Sequence, residues 1–241
     1  TKVFLESILH GDKLLPLRGL ILIDDEFYPP VVHLVGALGG GILGYGITTV
    51  TLFDNLVFVP LLALGVFGAA SVAYDRRAGA LAVLFILGAP IVIAQFHVFM
   101  LDAPLTALTA MSVWLLLLTD DFRRLGMTAL AAVAISLGTM SKVTFPIFVL
   151  GMVLVMLARG GWREWRNLLV FVAVLVLICQ PWTLFHWNQL MERSDRATAG
   201  PESPRAQGTL GNYGAYVYAA LYTQLLIPLS AFAVVGMVTG C

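Results

Sequence analysis

Four groups of ionisable residues stand out in a chain that carries few of them. Asp24-Asp25-Glu26 precedes Tyr28-Pro29-Pro30, Asp102 opens Asp102-Ala103-Pro104-Leu105-Thr106, Lys142 follows Thr139-Met140-Ser141, and His33 and His97 stand singly in apolar surroundings. Three adjacent carboxylates supply either oxygen ligands for a divalent cation, or a general base, or a solvated loop that caps the next helix. Asp102 fits the N-cap of a helix with Pro104 in its first turn, a role compatible with chemistry at the same carboxylate. Lys142, a lone cation between two apolar runs, either neutralises a phosphate oxygen or snorkels to lipid headgroups. The histidines lack the i, i+4 spacing of a zinc-binding helix and read as hydrogen-bonded interfacial residues, as does His186 among its tryptophans. Tyr213, Tyr216, Tyr218 and Tyr222 form either an interfacial belt or a stacking surface for a sugar ring. Gly39-Gly40-Gly41 lacks the Lys-Ser/Thr of a phosphate loop, and neither a dinucleotide fingerprint nor a Ser-His-Asp pattern is present.

The background to these residues is a membrane composition. Of the 241 residues 59% are hydrophobic and 12% charged, with a mean hydropathy of +0.91, whereas soluble domains are about 25% charged. A water-soluble fold of this size cannot hide that much apolar surface, so the excess faces lipid. The zero formal net charge gives no reason to expect a nucleic-acid partner. Cys179 and Cys241 sit in apolar runs, without disulfide or zinc spacing. A start at Thr1 and an end directly after an apolar run read as a fragment of a longer chain.

A spanning helix needs about 20 apolar residues. Residues 55–74, 80–99, 103–119, 167–187 and 222–240 fit, with Pro90 tolerated inside the second. Residues 127–158 would make a single helix about 48 Å long, too long for one bilayer. Two short spans, 127–140 and 143–158, turning at Lys142, are expected instead. Charge supports that choice. Arginine-bearing loops at Arg76-Arg77, Arg123-Arg124 and Arg159 to Arg166 then all fall on the cytoplasmic side. Asp102, Lys142 and a polar loop at 188–212 fall on the outer side. In the N-terminal part, residues 1–15 form an amphipathic interfacial segment, and residues 31–38 a short outer helix broken by Gly39-Gly40-Gly41 and Gly44. The expected fold is therefore all-α, a polytopic transmembrane helix bundle of about seven spans with short juxtamembrane outer helices. It is one transmembrane domain over residues 1–241, with an outer loop at 1–54, spans from 55 to 187, the loop at 188–212 and a last span at 222–240.

Four stretches together resemble the protein O-mannosyltransferase and aminoarabinose-transferase superfamily, of GT-C fold. Leu9-His10-Gly11-Asp12-Lys13-Leu14-Leu15-Pro16 resembles the amphipathic helix and "GD-x-x-x-P" stretch of its first outer loop, Tyr28-Pro29-Pro30-Val31-Val32-His33-Leu34 its "PPL-x-x-x-L" motif, Leu101-Asp102-Ala103-Pro104-Leu105-Thr106 its "LD-x-PLT" motif, and Ser136-Leu137-Gly138-Thr139-Met140-Ser141-Lys142 its "GLA-x-L-x-K" motif. The resemblance implies a glycosyltransferase that moves a hexose or pentose from a polyprenyl-phosphate carrier to a glycan, lipid or protein acceptor, with inversion. It also implies a multi-pass protein of the bacterial inner membrane, with its site on the outer face. A carboxylate deprotonates the acceptor while a cation or divalent metal stabilises the departing phosphate. By position, Asp102, Glu26 and Asp25 are the catalytic candidates, Lys142, Tyr28 and His33 the substrate-binding ones, and Asp24, Asp25 and Glu26 the metal ligands. The family's principal base lies after its first span, which here would precede Thr1. Phe27-Tyr28 stands where many aminoarabinose transferases have Glu-Lys. The rival functions are a transporter or flippase subunit and a non-catalytic polytopic membrane protein. Transport would predict charges deep within spans and an internal repeat, whereas here the charges gather at span ends.

Overall fold

A computed structural model describes residues 29–44 and 46–188. These form α1 (Val31–Leu43), α2 (Ile47–Ala73), α3 (Arg76–Gly88), α4 (Pro90–Phe96), α5 (Asp102–Leu118), α6 (Leu125–Thr139), α7 (Pro146–Ala158) and α8 (Trp165–Phe185), with a 3-10 turn at Gly161–Arg163. No strand occurs among the described residues, and the fold is all-α as expected. By length and composition, α2 and α8 can each cross a membrane, and α3 with α4, bent by 63°, is long and apolar enough for either a third, broken crossing or a re-entrant loop. The apolar helices α1, α5, α6 and α7 are shorter. The expected last span at 222–240, the polar loop before it and the segment 1–15 lie outside the described residues.

Glycine decides how closely the central helices approach. On α2, Asp54, Phe58, Leu62, Gly65 and Gly68 are buried, a spacing that places them on one helical face. A Cβ on Gly65 would lie 2.5 Å from the backbone nitrogen of Met111, and one on Gly68 would run into the Trp114 ring. In lipid no hydrophobic force drives helices together, so such backbone proximity is a main source of cohesion. The two contacts advance together along both chains, so α2 and α5 run parallel and their N-termini share one end of the bundle.

The expected break between 127 and 158 is present. α6 stops at Thr139 and α7 starts at Pro146, a proline in the first helical turn where its missing N–H costs nothing. Two of the arginine-bearing segments, at Arg123-Arg124 and Arg159 to Arg166, meet at the opposite end from this turn. Arg159 Nε lies 3.3 Å from Asp121 Oδ2, and Asn167 Nδ2 donates to the carbonyls of Phe122 and Arg123 at 2.7 and 3.1 Å.

Three expectations require correction. Gly39-Gly40-Gly41 does not interrupt α1, which continues to Leu43 and ends at Gly44 with φ +87°. A side chain at Gly36 would strike Val50 and Phe99, and one at Gly39 would strike Phe53, so close packing outweighs poor helix propensity here. α2 begins at Ile47, not at 55, so residues 47–54 of the expected outer loop are helical. Pro90 does not sit inside a continuous helix: α3 ends at Gly88 and α4 starts at Pro90.

Gly65→Ala is expected to push α2 and α5 apart and to cost about 1–3 kcal/mol. Gly151→Ala in α7, where an added Cβ meets nothing within 4 Å, is expected to be neutral or to stabilise by up to about 1 kcal/mol. Thermal unfolding of both variants in one detergent checks the contrast.

Candidate active site

The turn between α6 and α7 is built to present one lysine. Met140 N–H donates to Ser136 O at 2.8 Å, Lys142 N–H to Gly138 O at 3.0 Å, and Phe145 N–H to Lys142 O at 2.9 Å, so the chain reverses in hydrogen-bonded steps. Ser141 turns its hydroxyl back to Leu137 O at 2.8 Å. Phe145, fully buried, closes over Gly138, where any Cβ would run into its ring. Lys142 is left at the end of the bundle with its stem partly covered.

Its ammonium meets Asp102. Lys142 Nζ stands 2.6 Å from Asp102 Oδ1, and the two side chains are 32% and 41% exposed. Asp102 lies within the first turn of α5, after Leu101 as N-cap, and makes no capping hydrogen bond. This corrects the expected N-cap role: the carboxylate turns to the lysine instead. Pro104, fully buried, and Thr106, whose hydroxyl donates to Asp102 O at 2.8 Å, hold that first turn in place.

The proline pair joins the same end. Pro29 is fully buried, and the Val31 N–H donates to Met140 O at 3.1 Å. That bond satisfies one of the donors a helix start leaves open and ties α1 to the turn carrying Lys142. His33, in the first turn of α1, tilts its ring against Phe99 with centroids 6.2 Å apart. Three of the four sequence motifs thus converge on one end of the bundle.

The remaining expected site residues are placed differently. Asp24, Asp25, Glu26 and Tyr28 lie outside the described residues, as does the Gly11-Asp12 motif. Among the described residues no group of three or more His, Cys, Asp or Glu is arranged to hold a metal. His97 is exposed and its Nδ1 lies 2.7 Å from Ile93 O. His186 is 3% exposed and stacks on Trp182 with centroids 4.5 Å apart.

Two residues at this end escaped the sequence reading. Asp54 is 5% exposed, and its Oδ1 has no hydrogen-bond partner among the described residues. Its signal was a carboxylate inside an apolar run, hidden by starting the span one residue later. Asn55 Nδ2 donates to Phe96 O at 2.8 Å and so locks α2 to the end of α4. An open cleft of about 810 Å³ lies beside that bond, with Thr48, Thr51, Asn55 and His97 as the polar part of an apolar lining. Neither Asp102 nor Lys142 lines it.

The dolichyl-phosphate-mannose-protein mannosyltransferase family matches residues 28–185, well over half of the 241. The chain belongs to this family. No curated protein and no solved structure gives a match. Membership makes the chain a membrane glycosyltransferase of the mannosyltransferase type and agrees with the GT-C resemblance of its motifs. The matched span opens at the proline motif and contains Asp102 and Lys142, while the acidic triplet precedes it. The paired ammonium and carboxylate leave a partly exposed cation, held by one carboxylate, at the end of an apolar bundle.

Gly138→Ala is expected to displace Phe145 and the Lys142 turn together, costing about 1–3 kcal/mol. Gly126→Ala in the same helix, where an added Cβ meets nothing within 4 Å, should leave the unfolding midpoint unchanged or slightly raised. Thermal unfolding checks the pair, and transfer activity should fall only in Gly138→Ala.

Proposed function

We propose that this protein transfers a hexose or pentose from a polyprenyl-phosphate carrier to an acceptor hydroxyl on a glycan, lipid or protein. We place the reaction at the outer face of the bacterial inner membrane, with inversion at the anomeric carbon. The observation that supports this reading is the Lys142–Asp102 pair, held at 2.6 Å on motifs that the mannosyltransferase family shares.

In this reading the acceptor oxygen attacks the anomeric carbon as the bond from that carbon to the phosphate oxygen breaks. The electron pair leaves on the lipid phosphate, and the acceptor proton passes to a carboxylate. Lys142 stabilises the charge gathering on the phosphate, as a preorganised cation does at low dielectric. Asp102 is a positioning residue. It holds the ammonium at the bundle end before the donor binds, and exchanges it for the phosphate when the donor arrives. Asp25 and Glu26 are the candidates for the base in the present chain, and Tyr28 and His33 flank the donor. Should a divalent cation take part, Asp24, Asp25 and Glu26 are the oxygen ligands this sequence offers for it.

A half-exposed ion pair contributes only about 0.2–1 kcal/mol to stability, whereas loss of a charge-stabilising group costs about 10²–10³ in rate. Lys142→Met and Asp102→Asn in the full-length protein should therefore unfold within a few degrees of the parent. Lys142→Met should lose at least about 100-fold in transfer from a polyprenyl-phosphate sugar. Full activity in both well-folded variants would overturn the assignment of this pair to the reaction. The transport reading gains one observation from the structure, the buried Asp54. Sugar flux across sealed vesicles without any acceptor would favour it over transfer.

A further inference from the structure

The end of the bundle opposite Lys142 carries a second organised cluster, which the transfer reaction does not use. Thr119, Asp120, Asp121, Phe122, Arg123 and Arg124 connect α5 to α6 through three consecutive non-glycine residues in the left-handed region, with φ of 54°, 53° and 67° at Asp120, Asp121 and Phe122. Left-handed backbone costs roughly 1–2 kcal/mol per residue, so something must hold it. Phe122 does: it is fully buried and meets Phe171 edge-on with centroids 5.5 Å apart. Thr119 Oγ1 accepts from Phe122 N–H at 3.2 Å, and Asn167 clamps the Phe122 and Arg123 carbonyls from α8. Gly161 leaves the space that Phe122 and the Asp121 carbonyl occupy.

What this rigid platform displays is cationic. Arg123, Arg124, Arg159, Arg163 and Arg166 gather there against Asp120, Asp121 and Glu164. Asp120 pairs with Arg123 at 3.7 Å and Asp121 with Arg159 at 3.3 Å. Among the described residues Arg124, Arg163 and Arg166 have no carboxylate within ion-pair distance. Arg163 and Arg166 lie instead over the rings of Trp162 and Trp165, each 5.5 Å from the ring centroid. Those tryptophans are 62% and 59% exposed. Amphipathic indole rings settle at headgroup depth, and a guanidinium laid over each is fixed at that depth with its donors directed at phosphate geometry.

We propose that Arg163 and Arg166, shelved on Trp162 and Trp165, form with Arg124 a binding surface for the phosphodiester headgroup of an anionic membrane phospholipid. α5 has 17 residues and is about 25 Å long, so a headgroup held at this end fixes the depth at which the Asp102–Lys142 end meets the other interface. The occupant is a bilayer lipid and not a free anion, because the tryptophan shelf faces outward beside an apolar helix, α8, whose Leu169 and Val172 are exposed.

The test uses the full-length protein in a neutral detergent, titrated with phosphatidylglycerol, phosphatidylcholine or inorganic phosphate, with the unfolding midpoint as readout. Phosphatidylglycerol should raise the midpoint, and the other two should not. Arg163→Gln with Arg166→Gln should weaken the effective affinity roughly 30-fold, given the attraction of each arginine to an anionic surface. Arg76→Gln with Arg77→Gln removes the same charge at the same end but outside the cluster, and should leave the shift intact. Both pairs are exposed, so neither substitution threatens the fold. Arg163→Lys with Arg166→Lys keeps the charge without the planar stacking and should weaken the affinity less than the glutamine pair does. An equal response to phosphatidylcholine, reproduction by inorganic phosphate, or an undiminished shift in the Arg163/Arg166 glutamine variant would overturn the proposal.

Discussion

Lys142 sits between two helices that would otherwise read as one apolar run, and an ammonium in that position needs a counter-charge or water. Asp102 supplies the counter-charge at 2.6 Å, and much of the surrounding structure follows from keeping the two together. α6 must stop so that Lys142 can leave its axis. Gly138 must be a glycine so that Phe145 can fold back over it. α5 must begin at the level of the α6–α7 turn, and its buried Pro104 fixes where that is. α1 is then tied to the same turn through Met140 O. The pair itself adds little to stability, since both side chains remain partly exposed. Its weight is positional.

A second constraint comes from the absence of a hydrophobic force between helices in lipid. Cohesion has to come from backbone proximity and from a few polar links. Gly65 and Gly68 provide the first between α2 and α5. Asn55 to Phe96 O, Asn167 to the Phe122 and Arg123 carbonyls, and Cys179 to Ser136 O at 3.9 Å provide the second. These contacts join helices distant in sequence, and they hold both ends of the bundle while the middle packs on small residues. Asp54 departs from this economy: it is a buried carboxylate in a helix otherwise closed by glycine and leucine, at the end where the paired charges lie.

The elements with strong one-dimensional signals were legible in the sequence. Length and charge placement separated α6 from α7: one helix would be too long for a bilayer, and only the split puts the arginine-bearing loops together. The pairing of Asp102 with Lys142 was foreseen only as a shared side, since side-chain partnership across 40 residues leaves no local mark. Glycine misled at α1. Gly39-Gly40-Gly41 has poor helix propensity, yet α1 passes through it because α2 approaches too closely for side chains on that face. Propensity describes an isolated helix, and in this bundle packing decides. The start of α2 at Ile47 was missed for a related reason: Thr48, Thr49, Thr51 and Asp54 look like loop residues, but Thr51 returns its hydroxyl to Ile47 O at 2.8 Å inside the helix. The bend at Pro90 was underestimated because a tolerated proline and a broken helix have the same sequence.

The two ends of the bundle make different use of charge. At one end a single cation is matched to a single carboxylate, both partly covered, and in the proposed reaction an arriving anion exchanges one partner for another. At the other, five arginines outnumber three carboxylates, the surplus lies open over tryptophan rings, and a strained loop is clamped by Phe122 and Asn167 to keep it in place. The first arrangement suits a group that must act on a passing substrate, because its resting state is neutral and exchange costs little. The second suits a permanent attachment, because its surplus charge is satisfied only by something that stays. On the proposed reading, a glycosyltransferase working on a membrane-bound donor uses both, since the height of the cation above the bilayer is set by how firmly the opposite end is held.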